Sequence, residues 1–290
     1  MIQEKQAEMI SPGKGFSRVS VRRFEGDNLM SRKDVVAVEE PLEIRIEYTA
    51  DGVLKRAPIS ITMRTPGEDF ELAVGFLYSE GIIQGREDVR QVSYCQGDEP
   101  QTYNIVLIKL AETVVFDFES LARNFYTTSS CGVCGKASLE AIDLKGYEKI
   151  TDMDFKVSPA VIKRLPDTLR ERQGLFERTG GIHAAGLFSQ SGECFSIQED
   201  VGRHNAVDKV VGQAFLKSLI PLDRHILIVS GRTSFEIMQK ALAARLSVVV
   251  AVGAPSSLAV DLAEKFGITL LGFTKVDGFN VYAGSERIIE

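Results

Sequence analysis

Ile226-Leu227-Ile228-Val229-Ser230-Gly231-Arg232-Thr233-Ser234 joins a short apolar run to a turn of small and donor residues. Val248-Val249-Val250-Ala251-Val252-Gly253-Ala254-Pro255-Ser256-Ser257 does the same further on. An apolar run of strand length, closed by turn residues, reads as a strand buried on both faces. Ser234 to Leu246 and Ser257 to Phe266 read as helices, and Ile268 to Phe273 as another strand. Strand, helix, strand units in succession predict a mostly parallel sheet with helices on both faces. Upstream, His183 to Ser189 and Cys194 to Gln198 read as strands. Asn205 to Leu219 reads as an amphipathic helix through Ala206, Val207, Val210, Val211, Ala214 and Phe215. The alternation begins after Gly180-Gly181, so residues 179–290 are read as one α/β domain.

Residues 1–34 are polar, contain Ser-Pro-Gly-Lys-Gly at 11–15, and show no sustained periodicity, so they are read as a tail or arm. Leu42, Ile44, Ile46 and Tyr48 alternate with polar residues, as do Ile59, Ile61 and Met63, with Ala50-Asp51-Gly52 between; this predicts a hairpin with one buried face. Thr65-Pro66-Gly67-Glu68-Asp69 reads as a helix start, and Phe70, Ala73, Val74 and Leu77 as one helical face ending at Gly81. With strands at about 89–95 and 103–110, residues 35–125 form a smaller β-rich N-terminal domain. Residues 126–178 are a connection, with Ile150 to Gln173 read as two short helices broken at Leu165-Pro166.

The chain has 290 residues, enough for one large or two small domains, and 44% hydrophobic and 26% charged residues, as in soluble globular proteins. No apolar run approaches a membrane span and Met1-Ile2-Gln3-Glu4-Lys5 has no secretory h-region, so a cytoplasmic setting without membrane contact is expected. Four cysteines (Cys95, Cys131, Cys134, Cys194) do not make a disulfide framework. A net charge of -6 argues against a nucleic-acid partner.

Chemistry concentrates first in Ser130-Cys131-Gly132-Val133-Cys134-Gly135-Lys136. Lys136 to Ile142 reads as a short helix, whose positive end together with Lys136 favours thiolate at Cys131 and Cys134. A lone CxxC also fits half of a zinc site, a thioredoxin-type redox pair, or two small buried residues. His183 or His204 could complete a zinc site, but the H-x-E element of zinc deaminases is missing and the histidines follow the cysteines. The second concentration is the pair of loops at Ser230 and Gly253, which can offer amides and hydroxyls to a phosphate at a helix start, with Arg232 as a bidentate donor. Such loops also favour Gly, Ser and Thr for turning and capping alone. Glu199-Asp200-Val201-Gly202-Arg203-His204-Asn205-Ala206-Val207-Asp208-Lys209 is the densest polar segment and reads either as ligand contact or as a capped helix start. His183, beside Gly180-Gly181, stands between a structural and a functional role; His225, Cys194 and Cys95 are read as structural.

Taken together, these segments resemble the FdhD proteins, the formate dehydrogenase accessory sulfurtransferases. The matching pieces are Thr65-Pro66-Gly67-Glu68-Asp69 with Glu71 to Leu77 and Glu80-Gly81-Ile82-Ile83; Ser130 to Gly135; Thr179-Gly180-Gly181-Ile182-His183-Ala184-Ala185; Glu199 to Lys209; Ser230 to Ser234; and Gly253 to Ser257. The resemblance implies a sulfur carrier: a cysteine desulfurase hands sulfur to the CxxC as a persulfide, and the carrier passes it to molybdenum in bis-molybdopterin guanine dinucleotide, a bound substrate, before insertion into formate dehydrogenase. By position Cys131 matches the persulfide-forming cysteine, with Cys134 assisting. The family's cofactor-contacting segment falls on Phe273-Thr274-Lys275-Val276-Asp277-Gly278, which joins Ser230, Gly231, Arg232, Thr233, Gly253, Ser256, His183, Arg203 and His204 as candidate cofactor contacts. It also implies a cytidine deaminase-like, three-layer C-terminal domain with a mixed, mostly parallel sheet, without a permanently bound metal. A homodimer is left open. Two other readings stay beside it: a non-catalytic molybdenum-cofactor chaperone and a zinc-dependent hydrolase.

Overall fold

Two mixed sheets, joined through a pair of closely crossed helices, make up most of the molecule; the computed structural model describes residues 15–95, 103–114 and 146–289. Among the described residues, strands β1 (Phe16–Glu25) and β2 (Asn28–Ala37) pair only with each other, in an antiparallel ribbon turning at Gly26. From Phe16 onward, the stretch expected as a polar tail or arm over residues 1–34 is this ribbon; residues 1–14 lie outside the described residues. Both faces of the ribbon are largely in solvent, with Phe24 70% exposed, so neither imposes the apolar alternation that betrays a half-buried strand.

The first main sheet has the order β4-β3-β6-β5, from β3 (Glu40–Ala50), β4 (Val53–Arg64), β5 (Val89–Tyr94) and β6 (Ile105–Leu110). Asp51 and Gly52, both at positive φ, close the β3–β4 hairpin as a primed turn requires. Leu42, Ile44 and Ile46 of β3 are buried against Leu72, Ala73, Val74 and Leu77 of α1 (Asp69–Ser79). The expected inward face of β4 is corrected: Ile61 and Met63 are 69% and 47% exposed. Opposed residues of an antiparallel pair share a face. Thr62 opposes Leu42 and Ser60 opposes Ile44, so those polar residues face inward; a bulge at Ile59 then brings buried Ala57 opposite Ile46. Helix α1 also starts later than expected, after Glu68, because Thr65 is drawn into a buried hydrogen-bonded network instead of capping it.

The second sheet has the order β12-β11-β10-β9-β7-β8. Its centre is parallel, formed by β9 (Ile226–Val229), β10 (Val248–Ala251) and β11 (Thr269–Lys275). Its flanks are antiparallel: β7 (His183–Phe188) with β9 and with β8 (Cys194–Asp200), and β12 (Gly278–Ala283) with β11. The expectation of a mostly parallel sheet therefore fails at both edges, where hairpins replace helical crossovers. Leu227, Val229, Val249 and Leu270 face helices α4 (Arg203–Leu216), α5 (Phe235–Ala243) and α6 (Ser257–Phe266). Ile226, Ile228, Val248 and Leu271 face α2 (Pro159–Glu171). Helix α2 runs through Pro166 rather than breaking there. One lost helical hydrogen bond and a ring clash cost about 3 kcal/mol, whereas burial of Ile162, Leu165 and Leu169 returns roughly 1.5–3 kcal/mol each. The break comes instead before α3 (Gly174–Thr179), where the Glu199 carboxylate accepts the Leu175 and Phe176 amides. Among the described residues no helix is long and apolar enough to cross a membrane.

Helices α1 and α4 meet backbone to backbone. A Cβ on Gly75 would overlap the Asp208 carbonyl oxygen, and one on Gly212 would overlap the Glu71 carbonyl oxygen. This contact ties the first sheet to the helix whose N-terminus carries Arg203 and His204.

Candidate functional site

At the carboxyl ends of β9 and β10 the chain leaves the sheet through two loops that continue the parallel pairing after the strands have ended. The Gly253 amide donates to the Gly231 carbonyl (3.0 Å), the Thr233 amide to Ala254 (3.1 Å) and the Ser256 amide to Thr233 (2.9 Å). A side chain at Gly253 would stand 2.8 Å from the Gly231 oxygen and 2.9 Å from the Arg232 nitrogen, so only glycine permits this approach. The loops lie at a crevice outside parallel strand ends, where α/β sheets gather ligands.

His183, at the start of β7, faces the same loops: a Cβ on Gly231 would lie 3.2 Å from its Nδ1. The Ser230 hydroxyl accepts the Ala184 amide at 2.9 Å, which fixes the strand beside the loop. From the opposite side α4 brings Arg203 and His204. His204 Nε2 lies 3.1 Å from Ser234 Oγ and 3.7 Å from Glu236 Oε2. Arg203 Nε is buried and has no hydrogen-bond partner among the described residues. Burial, followed by the positive charges of Arg203 and Arg232, pushes the His183 pKa down. Burial outweighs Glu236 at His204 and brings its pKa down to about 4. Both imidazoles are then neutral near pH 7, and the positive charge of the crevice belongs to Arg203 and Arg232.

The helix starts themselves are partly engaged. Ser256 Oγ accepts the Ala259 amide at 3.3 Å, and at the start of α5 the upward push of burial on the Glu236 pKa is outweighed by hydrogen bonds from Ser234 and the local backbone, which bring it below the usual carboxylate value. The Phe273–Gly278 segment is not one loop: Phe273, Thr274 and Lys275 end β11, Val276 and Asp277 form the turn, and Gly278 starts β12. Phe273 takes a left-handed backbone (φ 51), donates its amide to the Gly253 carbonyl at 3.1 Å and is 48% exposed as a residue. A non-glycine residue in that region is strained, by about 1–3 kcal/mol where the surroundings hold it there. Thr233 and Thr274 are buried with hydroxyls lacking a partner among the described residues. Lys275, Val276 and Asp277 lie at the hairpin tip, and no described contact joins them to the arginines. Cys131, Cys134 and the helix expected over 136–142 lie outside the described residues.

The polar segment 199–209 divides in two. Glu199, Asp200, Asn205, Asp208 and Lys209 turn inward and hold the fold, while Arg203 and His204 face the crevice. Residues missed by sequence reasoning lie on the α2–α3 connection. A cleft of about 570 Å³ adjoins the crevice, and Leu169, Gln173 and Phe176 line it together with His183, Val201 and Ser230. Gln173 and Phe176 had no visible signal, since they fall in a segment whose periodicity speaks only of packing.

A buried neutral histidine has a pH signature. The unfolded chain binds a proton on His204 near pH 6.5 and the folded chain only near 4, so its contribution to stability is complete above about 6.5 and is lost as pH falls toward 4. His204→Gln is expected to flatten that part of the pH profile. Urea midpoints of both proteins between pH 7.5 and 4 check this; parallel profiles would reject it.

The comparisons with known proteins agree on one family. Residues 37–289 match the FdhD/NarQ family model. A sulfur carrier protein FdhD of Streptomyces coelicolor is 49% identical, covering 95% of this chain and 96% of its own. That of Mycobacterium tuberculosis is 48% identical over 92% and 96%, and that of Sulfurisphaera tokodaii 42% identical over 94% and 98%. A crystal structure described as a formate dehydrogenase accessory protein from Desulfotalea psychrophila shares the fold, with a TM-score of 0.70 at 21% identity over 94% of this chain and 99% of that one. A match spanning nearly the whole chain, with relatives this similar, places the protein in the FdhD/NarQ family.

Proposed function

We propose that this protein is a cytosolic sulfur carrier that serves formate dehydrogenase maturation, taking sulfur from a cysteine desulfurase and giving it to the molybdenum of bis-molybdopterin guanine dinucleotide. The observation that supports substrate binding is the convergence of Arg203 and Arg232 on one crevice, both near enough to neutral His183 to lower its pKa, with Arg203 Nε lacking a hydrogen-bond partner among the described residues. A dinucleotide cofactor carries pyrophosphates, which suit paired guanidinium groups at the ends of parallel strands. Phe273, exposed at the rim, offers a ring face to a planar part of the same molecule. Relatives 42–49% identical carry the name sulfur carrier protein, and the Cys131-Gly132-Val133-Cys134 stretch supplies the thiols such a role needs.

In the sulfur step the Cys131 thiolate attacks the outer sulfur of the donor's persulfide. The donor's S–S bond breaks, the donor cysteine leaves as thiolate, and a new S–S bond forms on Cys131 without net oxidation. Cys134 stands three residues away to assist or relay. The test is intact mass spectrometry after incubation with a cysteine desulfurase and cysteine. A gain of one sulfur atom is expected on the wild type and none on Cys131→Ala, with formate dehydrogenase maturation lost in the variant. Full maturation by Cys131→Ala removes that residue from the mechanism and favours a chaperone that only holds the cofactor.

A further inference from the structure

Neither core claims the outer part of the β1–β2 ribbon, where every residue from Arg22 to Asp34 is exposed. Successive residues of a strand alternate between faces, and residues directly opposite share one. Arg18, Arg22 and Phe24 of β1 therefore lie on the same face as Lys33 and Leu29 of β2. Glu25 and Asp34 fall on the other face, where Arg23 pairs with Glu25 at 3.2 Å, and Asp27 sits in the turn. The first face thus carries three cations and no strand carboxylate. At its tip Phe24 and Leu29 stand directly opposite each other, 70% and 48% exposed. From Phe16 to Ala37 there are five arginines and lysines against three carboxylates, in a chain whose net charge is -6.

The inner end of this face is rooted beside the crevice. Phe16 shares the face, and the Arg178 guanidinium of α3 lies 5.0 Å from the centre of its ring. Phe176 of the same helix lines the cleft that His183 and Ser230 also line. Strands of ten residues reach about 33 Å, so a partner lying along the ribbon has one end at the crevice. A two-stranded ribbon alone in water is marginally stable, and a partner that covers one face supplies the packing it lacks. Exposed aromatic and arginine side chains are the usual anchors of such contacts. A nucleic acid would need a broader basic surface than three cations on an acidic chain. We propose that the carboxylate-free face of the ribbon docks the enzyme that receives the cofactor, through an acidic surface with an apolar hollow for Phe24 and Leu29. The sulfur donor needs to reach only Cys131, whereas the acceptor has to reach the crevice. This rests on the carrier reading above and adds to it a surface outside the crevice.

Biolayer interferometry of the full chain against purified, cofactor-free formate dehydrogenase tests the assignment. The wild type is expected to bind, and the double variant Arg22→Glu, Lys33→Glu to bind at least about tenfold more weakly, chiefly through slower association. Phe24→Ser should weaken binding about tenfold through faster dissociation. Arg32→Glu reverses a charge on the same strand but on the opposite face, and should change affinity less than about threefold. Raising the ionic strength from about 0.01 M to about 0.15 M should weaken the wild type more than the double variant, because two of the attracting charges are already gone. All four residues are exposed, so the variants should keep the wild-type thermal midpoint. No binding by the wild type, unchanged binding by the face variants, or an equal loss in Arg32→Glu overturns the proposal. Binding to the cysteine desulfurase that falls in the face variants while binding to formate dehydrogenase does not, or a ribbon-dependent dimer in sedimentation velocity, overturns it by giving the face another occupant. Sulfur loading of Cys131 is read separately by mass. A wild type that loads sulfur but does not dock loses the docking surface and keeps the carrier reading; one that docks through the ribbon but takes no sulfur does the reverse.

Discussion

Gly212→Ala is expected to cost about 3 kcal/mol or more of folding stability, the opposite sign from the usual gain of about 1 kcal/mol for replacing a glycine inside a helix. The added methyl would overlap the Glu71 carbonyl oxygen and lie 2.7 Å from both the Glu71 carbonyl carbon and the Gly75 nitrogen. These are backbone atoms, which no rotamer change moves aside. Relief requires α1 and α4 to separate, and α1 carries Leu72, Val74 and Leu77 into the first core while α4 carries Val207, Val210 and Val211 into the second. Urea denaturation measures the loss. Gly174→Ala, at a helical position with nothing near the added atom, is the control and should change the midpoint little. An unchanged midpoint in Gly212→Ala would mean that the helices cross farther apart than the structure has them.

That crossing was invisible in the sequence, although both glycines are plain to see, and the reason is general to what was and was not legible here. The strands at Ile226 and Val248 are apolar throughout because both faces are covered, and that pattern is local. β12 escaped notice because Phe279 is only partly buried and Asn280 and Val281 are exposed, so an edge strand resembles a loop. The inward face of β4 was misassigned because the bulge at Ile59 is decided by pairing with β3, and no residue of β4 announces it. The crevice was more legible than the fold around it. Arginine, histidine and serine at strand-to-helix junctions serve either ligand contact or turning and capping, so the sequence could name His183, Arg203, His204 and Arg232 as candidates without choosing between the two roles, and the fold brings them to one crevice. What the sequence could not do was separate Arg203 from its neighbours Asp200 and Lys209, because burial is a property of the assembled molecule.

Lys209→Met should therefore be among the most damaging single substitutions, at about 3–5 kcal/mol, although it removes a charge from the interior. Asp200 and Lys209 are 0% and 0% exposed, and their charged atoms are 2.8 Å apart. Asp200 also accepts the Thr65 amide at 3.2 Å, the Gly202 amide at 2.8 Å and Asn205 Nδ2 at 3.0 Å, while Lys209 Nζ donates to the carbonyls of Thr65 (3.0 Å) and Glu199 (3.2 Å). Without the ammonium the carboxylate is left charged in a place water does not reach. Asp200→Leu strands the ammonium in the same way, and the double variant should lose less than the two singles combined, since neither charge is then left alone. The exposed pair Lys55 and Asp51, at 3.7 Å with side chains 46% and 93% in solvent, is the contrast: Lys55→Met should change the unfolding free energy measured in urea by less than about 1 kcal/mol. Because Asp200 binds the Gly202 amide directly before α4, the pair also sets where that helix begins, and so the positions of Arg203 and His204 in the crevice. Asp200 and Lys209 are buried in the fold rather than exposed in the crevice, so any loss of affinity for inorganic pyrophosphate in the folded fraction of Lys209→Met would come from a displaced helix start. Full additivity of the two singles would deny the coupling, and unaltered affinity in folded Lys209→Met would deny the positioning.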